Sequence, residues 1–331
     1  MPPRAGIPAI GQFVWLGAKL PAVAYVAIRR AQDHGRLPLV RLHAADPALG
    51  DDPLVQELLQ RPGFELAVTP QPAAPGLGPD VDAALLALLA LLDKLERPAA
   101  RADLLRLLIL WREGGIYLDA DALALRDLRP LCAPTAAAGF AGLERVCLPA
   151  RVVHSLNPAA WLRAGVLMAL RDAVGRLRGA PQRFEAVAGL YHLACNNAVL
   201  GATAGHPMLA DLLRAAAALP TSRALKLYEL GPRLLETVTN NRSSATFELH
   251  PPTSFYALSP EICWQYVRDD PDKTLEAWLG AQPWTVHLYD SVLTRRLGQP
   301  LDTAWLLRNR GQTWLSRAAD AYLGDLGRLA P

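Results

Sequence analysis

Residues 109–123 have the sequence ILWREGGIYLDADAL, in which an apolar segment ends at two glycines and a short strand, 116–118, follows. Gly114 occupies the position where a helix commonly ends in a residue of positive φ. The strand leads directly into Asp119 and Asp121. Because ligands bind where parallel strands end at their carboxyl edge, these two carboxylates are predicted to lie at the mouth of a site.

The two aspartates are predicted to point to the same side, since side chains at positions i and i+2 of an extended backbone do so. Two like charges held close together are unfavourable unless a cation or hydrogen-bond donors lie between them. A hard divalent cation such as Mg²⁺ or Mn²⁺ takes oxygen ligands of this kind. An exposed acidic turn is the alternative interpretation, because the tripeptide Asp-x-Asp is common.

The preceding helix carries a second pair of charges, Asp103 and Arg106, which share one face because they lie three residues apart. The residues around them are mostly leucine, so the helix is predicted to be buried, and buried charges need partners. The pair forms either a structural salt bridge or part of the same cavity as Asp119 and Asp121.

Strands and helices alternate on the N-terminal side of this region. Strands are predicted at 10–17, 37–43 and 64–68, and helices at 22–33, 52–61, 81–95 and 101–113. Residues 69–79 are rich in proline and glycine and are predicted to form a loop. This alternation predicts an α/β fold in which helices flank a mostly parallel sheet.

The C-terminal part is predicted to contain more helix. Residues 155–240 are expected to be mainly helical with a break around 201–207, strands are expected at 247–256 and 284–289, and one or two amphipathic helices over 302–329. The sequence contains no internal repeat.

Composition excludes several classes of protein. Of the 331 residues, 51% are hydrophobic and 20% charged, which is typical of a globular chain, and the net charge of +3 with scattered arginines argues against a nucleic-acid partner. The four cysteines have no zinc or disulfide spacing, and the longest apolar run, 83–92, is about half of a membrane span. These features predict a cytoplasmic protein with reduced thiols.

The segment RADLLRLLILWREGGIYLDADAL (101–123) closely resembles the Asp-x-Asp sugar-binding region of glycosyltransferase family 32 and of the related clostridial glucosylating toxins. Weaker likenesses extend the resemblance over about residues 7–297, although it is dense only between 99 and 128. They are IPAIGQFVWLG (7–17), NNAVLGATAGHPML (196–209), LGPRLLE (230–236), HPPTSFYALSP (250–260) and TVHLYDSVL (285–293). The chain departs from the family pattern at Gly11 and Gln12, and Val292 or Leu293 stands where the family has a closing tryptophan.

The resemblance implies a GT-A-type, Rossmann-like fold and a metal-dependent glycosyltransferase. Such an enzyme would move a hexose from a nucleotide-diphosphate sugar, with UDP-hexose the first choice and GDP-mannose the second, to an acceptor hydroxyl with retention of configuration. It also implies that residues 1–300 form the transferase domain, with a helical acceptor-side insertion at about 150–240. Residues 301–331 would be C-terminal helices that pack on the core, with contact to a membrane surface as the alternative.

By the same resemblance, Asp121 would bind Mn²⁺ or Mg²⁺ directly and Asp119 would bind ribose and metal. The implied catalytic set is Asp103, Arg106, Asp119 and Asp121, with Arg106 on the donor sugar or phosphate and Asp103 on the sugar hydroxyls. Further contacts are implied for His287 (metal or phosphate), Ser291 (diphosphate), Trp15 (stacking on the base), Leu16 and Tyr117 (the nucleotide pocket), and Asn196 and Asn197 (sugar or acceptor). His287 and Trp15 are equally interpretable as core residues.

Two other functions fit parts of the sequence. A haloacid-dehalogenase-like phosphotransferase also has a strand ending in Asp-x-Asp, and Asp269, Asp270 and Lys273 could serve as its later motifs. Leu123 argues against it, since that family has threonine or valine there. A non-catalytic sugar-nucleotide-binding protein with a GT-A fold is the second alternative. The acceptor stays open between a saccharide, a lipid-linked sugar, a natural product and a protein side chain.

Overall fold

The computed structural model describes residues 6–68, 79–134, 137–153, 155–177, 179–226, 228–241 and 246–329. Within these residues, seven strands form one sheet in the order β3-β2-β1-β4-β7-β6-β8, and two further strands, β5 and β9, pair with each other. The strands are β1 (Ile10–Trp15), β2 (Leu39–Ala44), β3 (Phe64–Val68), β4 (Gly115–Leu118), β5 (Ala122–Ala124), β6 (Gly139–Val146), β7 (His192–Ala202), β8 (Phe247–His250) and β9 (Thr285–His287).

Helices occupy both faces of the sheet and the connections between its strands. Those of the N-terminal half are α1 (Ala22–Asp33), α2 (Pro53–Leu59), α3 (Pro79–Leu92) and α4 (Pro98–Glu113). The central ones are α5 (Ala150–Val153), α6 (Pro158–Gly175), α7 (Ala180–Val187), α8 (Pro207–Ala218), α9 (Thr221–Ala224) and α10 (Pro232–Asn241). The C-terminal ones are α11 (Pro252–Phe255), α12 (Thr274–Leu279), α13 (Asp290–Leu297), α14 (Thr303–Arg308), α15 (Trp314–Ala318) and α16 (Leu323–Leu329).

Strands β3, β2, β1 and β4 run parallel to one another, and β7 is antiparallel to both β4 and β6. Side chains of these strands alternate between two separate cores. Ile116 and Leu118 of β4 join the core that contains α1, whereas Tyr117 joins the core that contains α4 and α8. A period of two therefore places Tyr117 on the same side of the sheet as the α4 helix.

The predicted fold class, an α/β protein with a mostly parallel sheet flanked by helices, is confirmed. The predicted strands and helices up to residue 118 agree with β1–β4 and α1–α4 to within a few residues. The predicted loop 69–79 lies outside the described residues, except that Pro79 begins α3.

The prediction that residues 155–240 are mainly helical is wrong for β7, and no strand was predicted at the position of β6. Strand β7 is buried along most of its length, so HLACNNAVLGA does not alternate between polar and apolar residues. Its small residues are required by packing. A Cβ at Gly201 would lie 2.1 Å from the ring of Phe140 on β6.

The C-terminal elements are shorter than predicted. The strand expected at 247–256 ends at His250, because Pro251 and Pro252 lack the amide hydrogen that a ladder needs. The helices expected over 302–329 are the three short helices α14–α16, whose buried residues Trp305, Trp314 and Leu326 belong to the same core as α1. None of the helices in the described residues combines the length and apolar character needed to cross a bilayer.

Candidate active site

The carboxyl ends of β1 and β4 meet at one edge of the sheet. Gln12 of β1 pairs with Tyr117 of β4 in parallel register, so Trp15, at the end of β1, and the acidic pair, just after β4, lie at this edge. Trp15 is partly buried, and its indole donates a hydrogen bond to the carbonyl of Lys19 (2.7 Å), which folds the loop after Leu16 back onto the ring. The structure thus brings Trp15 and Leu16 to the same edge as the acidic pair.

Asp119 and Asp121 lie in a tight turn between β4 and β5. The amide of Ala122 donates to the carbonyl of Asp119 (2.8 Å), so the expectation of an extended backbone at this point is wrong. The turn exists because β5 leaves the main sheet to pair with β9, with Ala122 opposite His287. This pairing, which joins distant parts of the chain, places an imidazole directly over the acidic turn.

Asp119, Asp121 and His287 form a group that could hold a metal ion, with one ligand atom from each lying within 4.8 Å of the others. His287 Nε2 is 3.0 Å from Asp121 Oδ1 and 3.9 Å from Asp119 Oδ2. Two carboxylate oxygens and an imidazole nitrogen are ligands that suit Mn²⁺, and the carboxylates also suit Mg²⁺. The residues present therefore fit the divalent cation that the sequence predicts.

Asp121 is held as an anion by its surroundings. Its Oδ2 accepts a hydrogen bond from the amide of Asp290 (2.8 Å), the first residue of α13. Burial alone would raise the pKa of Asp121, but the His287 imidazole and backbone donors outweigh it and lower that pKa below its usual value. Burial opposes protonation of His287, whereas Asp121 and Asp119 raise its pKa above the usual value. A charged carboxylate is the form that binds a metal.

Arg106 connects both pairs of charges that the sequence singled out. Its Nη2 lies 3.1 Å from Asp103 Oδ1 and 3.1 Å from Asp119 Oδ1, and its Nη1 donates to the carbonyl of Asn197 (2.5 Å). The guanidinium lies 4.5 Å from the centre of the Tyr117 ring. Arg106 is buried, and its contact with Asp119 places a positive charge on the core side of the acidic turn.

Tyr117 supports Asp119 from below. Its hydroxyl donates to Asp119 Oδ1 (2.8 Å), and the residue is only 1% exposed. Burial raises the pKa of Asp119, against the opposing effect of Arg106. In this structure the Tyr117 ring packs between Arg106 and the core that contains α4 and α8. Its contact with a nucleotide stays a prediction.

The two asparagines of β7 hold further carboxylates at the site. The Asn197 amide donates to Asp103 Oδ1 (2.7 Å), and the Asn196 amide donates to Glu144 Oε2 (2.8 Å). Glu144 Oε2 also accepts from the hydroxyl of Tyr289 (3.0 Å), whose ring centre lies 4.1 Å from that of His287. Burial raises the pKa of Glu144.

Glu144 and Gly231 are site residues that the sequence analysis missed. Glu144 lies on β6, a strand that was not predicted, so no pattern pointed to it. Gly231 lies within the segment LGPRLLE, and a Cβ there would come 2.6 Å from Asp103 Oδ2. The glycine in that segment could have indicated a close contact, because only a glycine lets the backbone approach the carboxylate so closely.

Ser291 is exposed on the first turn of α13, next to Asp290 and therefore next to the acidic turn. Leu293, one of the two residues at the position of the family's closing tryptophan, is fully buried in the core, and Val292 is partly buried. Of the residues that a phosphotransferase would use, Asp270 is engaged elsewhere. Asp270 accepts hydrogen bonds from the amides of Thr274 and Leu275 (2.9 and 3.1 Å) and pairs with Arg317 (3.2 Å).

Residues 81–137, which include α4, β4 and the acidic turn, match a family model described as "Glycosyltransferase sugar-binding region containing DXD motif". The chain carries a glycosyltransferase sugar-binding region. The match contains Asp103, Arg106, Asp119 and Asp121, whereas His287 and the asparagines of β7 lie outside it. The family predicted from residues 101–123 is therefore confirmed for this region.

Solved structures that are similar to the chain include "PaToxG Glycosyltransferase", at 15% identity and a TM-score of 0.45, covering 96% of this chain and 87% of that one. The UDP-bound glycosyltransferase domain of the YGT toxin has 10% identity and a TM-score of 0.38, covering 74% of this chain and 80% of that one. The ligand-free domain of the same toxin has 10% identity and a TM-score of 0.42, covering 95% of this chain and 99% of that one. No curated protein is significantly similar in sequence.

Proposed function

We propose that the protein is a metal-dependent, retaining glycosyltransferase of the GT-A type that transfers a hexose from a nucleotide-diphosphate sugar to an acceptor hydroxyl. The observation that carries the proposal is the meeting of Asp119, Asp121 and His287 within 4.8 Å, inside and beside a glycosyltransferase sugar-binding region. A UDP-hexose is the first choice of donor and GDP-mannose the second.

Cleavage of a sugar nucleotide leaves a diphosphate that carries negative charge, and that charge must be stabilised as the bond breaks. Mn²⁺ or Mg²⁺ held by Asp119, Asp121 and His287 would supply Lewis-acid stabilisation of this leaving group. Ser291, exposed beside the turn, is available to donate a hydrogen bond to a phosphate oxygen.

Arg106 and Asp103 would act on the donor from the opposite side of the turn. The Arg106 guanidinium is fixed by Asp103, Asp119 and the carbonyl of Asn197, so it is already oriented before a donor arrives. Such preorganisation avoids reorganisation during the reaction. Asp103 would accept hydrogen bonds from sugar hydroxyls, and Trp15 and Leu16 would flank the base at the end of β1.

Retention of configuration is proposed to follow a front-face path, in which the leaving phosphate takes the proton of the acceptor hydroxyl. The two further carboxylates of the site, Asp103 and Glu144, are each hydrogen bonded by a buried asparagine amide. In this path neither carboxylate attacks the anomeric carbon. Residues 1–300 would form the transferase domain, and α5–α7 between β6 and β7 would cover its acceptor side.

The test is to incubate the purified protein with UDP-glucose, UDP-galactose or GDP-mannose, with Mn²⁺ or with EDTA, and to measure nucleotide release. Metal-dependent hydrolysis that is lost in Asp121→Asn supports the proposal. Asp127→Asn is the matched control, because Asp127 is a surface residue that pairs with Arg129. Phosphatase activity that ignores sugar nucleotides would support a phosphotransferase instead, and donor binding without turnover would support a non-catalytic binding protein.

A further inference from the structure

Helix α6 (Pro158–Gly175) is apolar on every side. Its sequence, PAAWLRAGVLMALRDAVG, contains only Arg163, Arg171 and Asp172 as charged residues. One stripe, with Ala164, Leu167 and Val174, is buried against the core. A helix that is apolar all round is normally covered all round. On the opposite side, however, Leu162 is 71% exposed and Val166 59% exposed.

These two residues belong to a larger exposed group, which we name the apolar surface. It gathers most of the exposed large hydrophobic side chains of the described residues into one short part of the chain. Its members are Leu156, Trp161, Leu162, Val166, Met168, Leu177, Leu190 and Leu193. Large groups of exposed apolar side chains mark interaction sites in soluble proteins.

Hydrogen bonds connect the parts of the apolar surface. The Trp161 indole donates to the carbonyl of Ser155 (2.9 Å), which ties the loop bearing Leu156 to α6. The Arg163 guanidinium donates to the carbonyl of Leu190 (3.4 Å), which ties α6 to the segment that enters β7. Leu193 lies on β7 three residues before Asn196, or about 10 Å along the strand. The apolar surface therefore reaches close to the candidate active site.

Positive charge is concentrated in the part of the chain that carries the apolar surface. Residues 150–190 contain six arginines, no lysine and two acidic residues, so they carry a net charge of about +4, whereas the whole protein carries +3. Arg163 and Arg176 are exposed beside the apolar side chains. Arginine can keep its charged group in the headgroup layer while its methylene carbons lie along apolar surface.

We propose that the apolar surface docks on an anionic lipid bilayer. Leucine, valine and tryptophan would enter the boundary between headgroups and acyl chains, and the exposed Arg163 and Arg176 would bind acidic headgroups. A second copy of the chain is a poorer occupant, because its own positive segment would face an equal positive charge. The proposal does not depend on the chemistry at Asp121.

The test is flotation of the full-length protein with phosphatidylcholine vesicles and with vesicles of phosphatidylcholine mixed with phosphatidylglycerol. Binding is expected only to the mixed vesicles and is expected to weaken with added salt. The double variant Leu162→Glu/Val166→Glu should lose at least about tenfold of this binding, because charged side chains cannot enter the apolar boundary. Leu86→Glu is the matched control, since Leu86 is an equally exposed leucine (68%) on α3 and should leave binding unchanged.

Both sets of substitutions lie on the surface, so circular dichroism and the melting temperature should stay those of the wild type. Nucleotide release from free sugar nucleotides should also be unchanged in the double variant, which separates this proposal from the proposed transferase activity. Three results would overturn the proposal. They are the absence of binding to either kind of vesicle, binding of the double variant equal to that of the wild type, and a dimer in light scattering that the double variant abolishes.

Discussion

His287 Nε2 lies 3.0 Å from Asp121 Oδ1, and the contact exists because β9 pairs with β5 immediately after the acidic turn. The centre of the imidazole ring lies 4.1 Å from that of the Tyr289 ring, and the two ring planes are tilted by 48°. Tyr289 has a φ of 56°, which is unusual for a residue other than glycine. Backbone of this kind persists where the surrounding structure enforces it, and it is frequent at functional sites. The geometry makes His287 a ligand candidate rather than a simple core residue.

Replacing His287 with alanine is therefore expected to weaken Mn²⁺ binding by at least about tenfold, because it removes one of three ligands from the site. Electron paramagnetic resonance of free Mn²⁺ measures this without any assay of activity. His34→Ala provides the control, because His34 is exposed at the end of α1. Equal Mn²⁺ affinity in the two variants would return His287 to a structural role.

Arg106→Lys tests the shape of the cation rather than its charge. A lysine cannot contact Asp103, Asp119 and the Asn197 carbonyl at once, as the planar guanidinium does. We expect kcat/KM for donor cleavage to fall by the equivalent of about 2–4 kcal/mol, since a charge-assisted contact to a buried anion is lost. The measurement is initial-rate kinetics beside Arg112→Lys, an exposed residue of the same helix. Unchanged kinetics in Arg106→Lys would show that Arg106 only supports the fold.

The sequence predicted the parts of the site that are local and left out those that depend on strand pairing. Asp103, Arg106, Asp119 and Asp121 lie in one helix–strand–turn unit, whose spacing alone brings them together. Glu144 reaches the site through a β6–β7 pairing with a register shift between Ala141 and Gly142, which no short pattern encodes. The helical prediction for 155–240 failed at β7 for a related reason, since a strand buried on both faces has no alternation to detect.

The position of Gln12 has a similar explanation. The family pattern commonly has histidine there, and this chain has a buried glutamine whose amide donates to the carbonyl of Gly114 (3.1 Å) and whose oxygen contacts His43 Nε2 (2.8 Å). Gln12 and His43 thus hydrogen bond to each other inside the sheet. This departure from the family pattern changes how the core is hydrogen bonded.

Gly231→Ala probes the close approach of the chain to Asp103. A Cβ would lie 2.6 Å from Asp103 Oδ2, so the carboxylate must move and its contact with Arg106 must change. We expect a rise in KM for the donor of at least about tenfold, because about 1.4 kcal/mol corresponds to that factor and a displaced hydrogen-bonded charge costs more. Gly189→Ala is the control, since a Cβ there meets nothing within 4 Å. Equal KM values in the two variants would place Asp103 outside the donor site.

His43 is expected to make stability depend on pH. It is buried on β2, and burial lowers its pKa to about 4, with Arg41 and Arg112 acting in the same direction and Glu113 opposing them. In the unfolded chain a histidine has a pKa of about 6.5, so between these values the unfolded state binds the proton and the folded state does not. His43 therefore leaves the free energy of unfolding undiminished above a pH of about 6.5. Below that pH the free energy of unfolding decreases, and the loss continues until the pH reaches about 4.

At pH 5 this effect should remove about 2 kcal/mol of the free energy of unfolding relative to pH 7. The measurement is urea denaturation of the wild type and of His43→Gln at both pH values. For each protein, the free energy of unfolding at pH 5 is subtracted from that at pH 7. Carboxylates titrate equally in the two proteins, so their contribution cancels when these two losses are compared. The variant should be less stable at pH 7, because it disturbs the contact with Gln12, but its loss between pH 7 and pH 5 should be smaller by about 2 kcal/mol. Identical losses in both proteins would mean that His43 is protonated as readily in the folded state as in the unfolded chain.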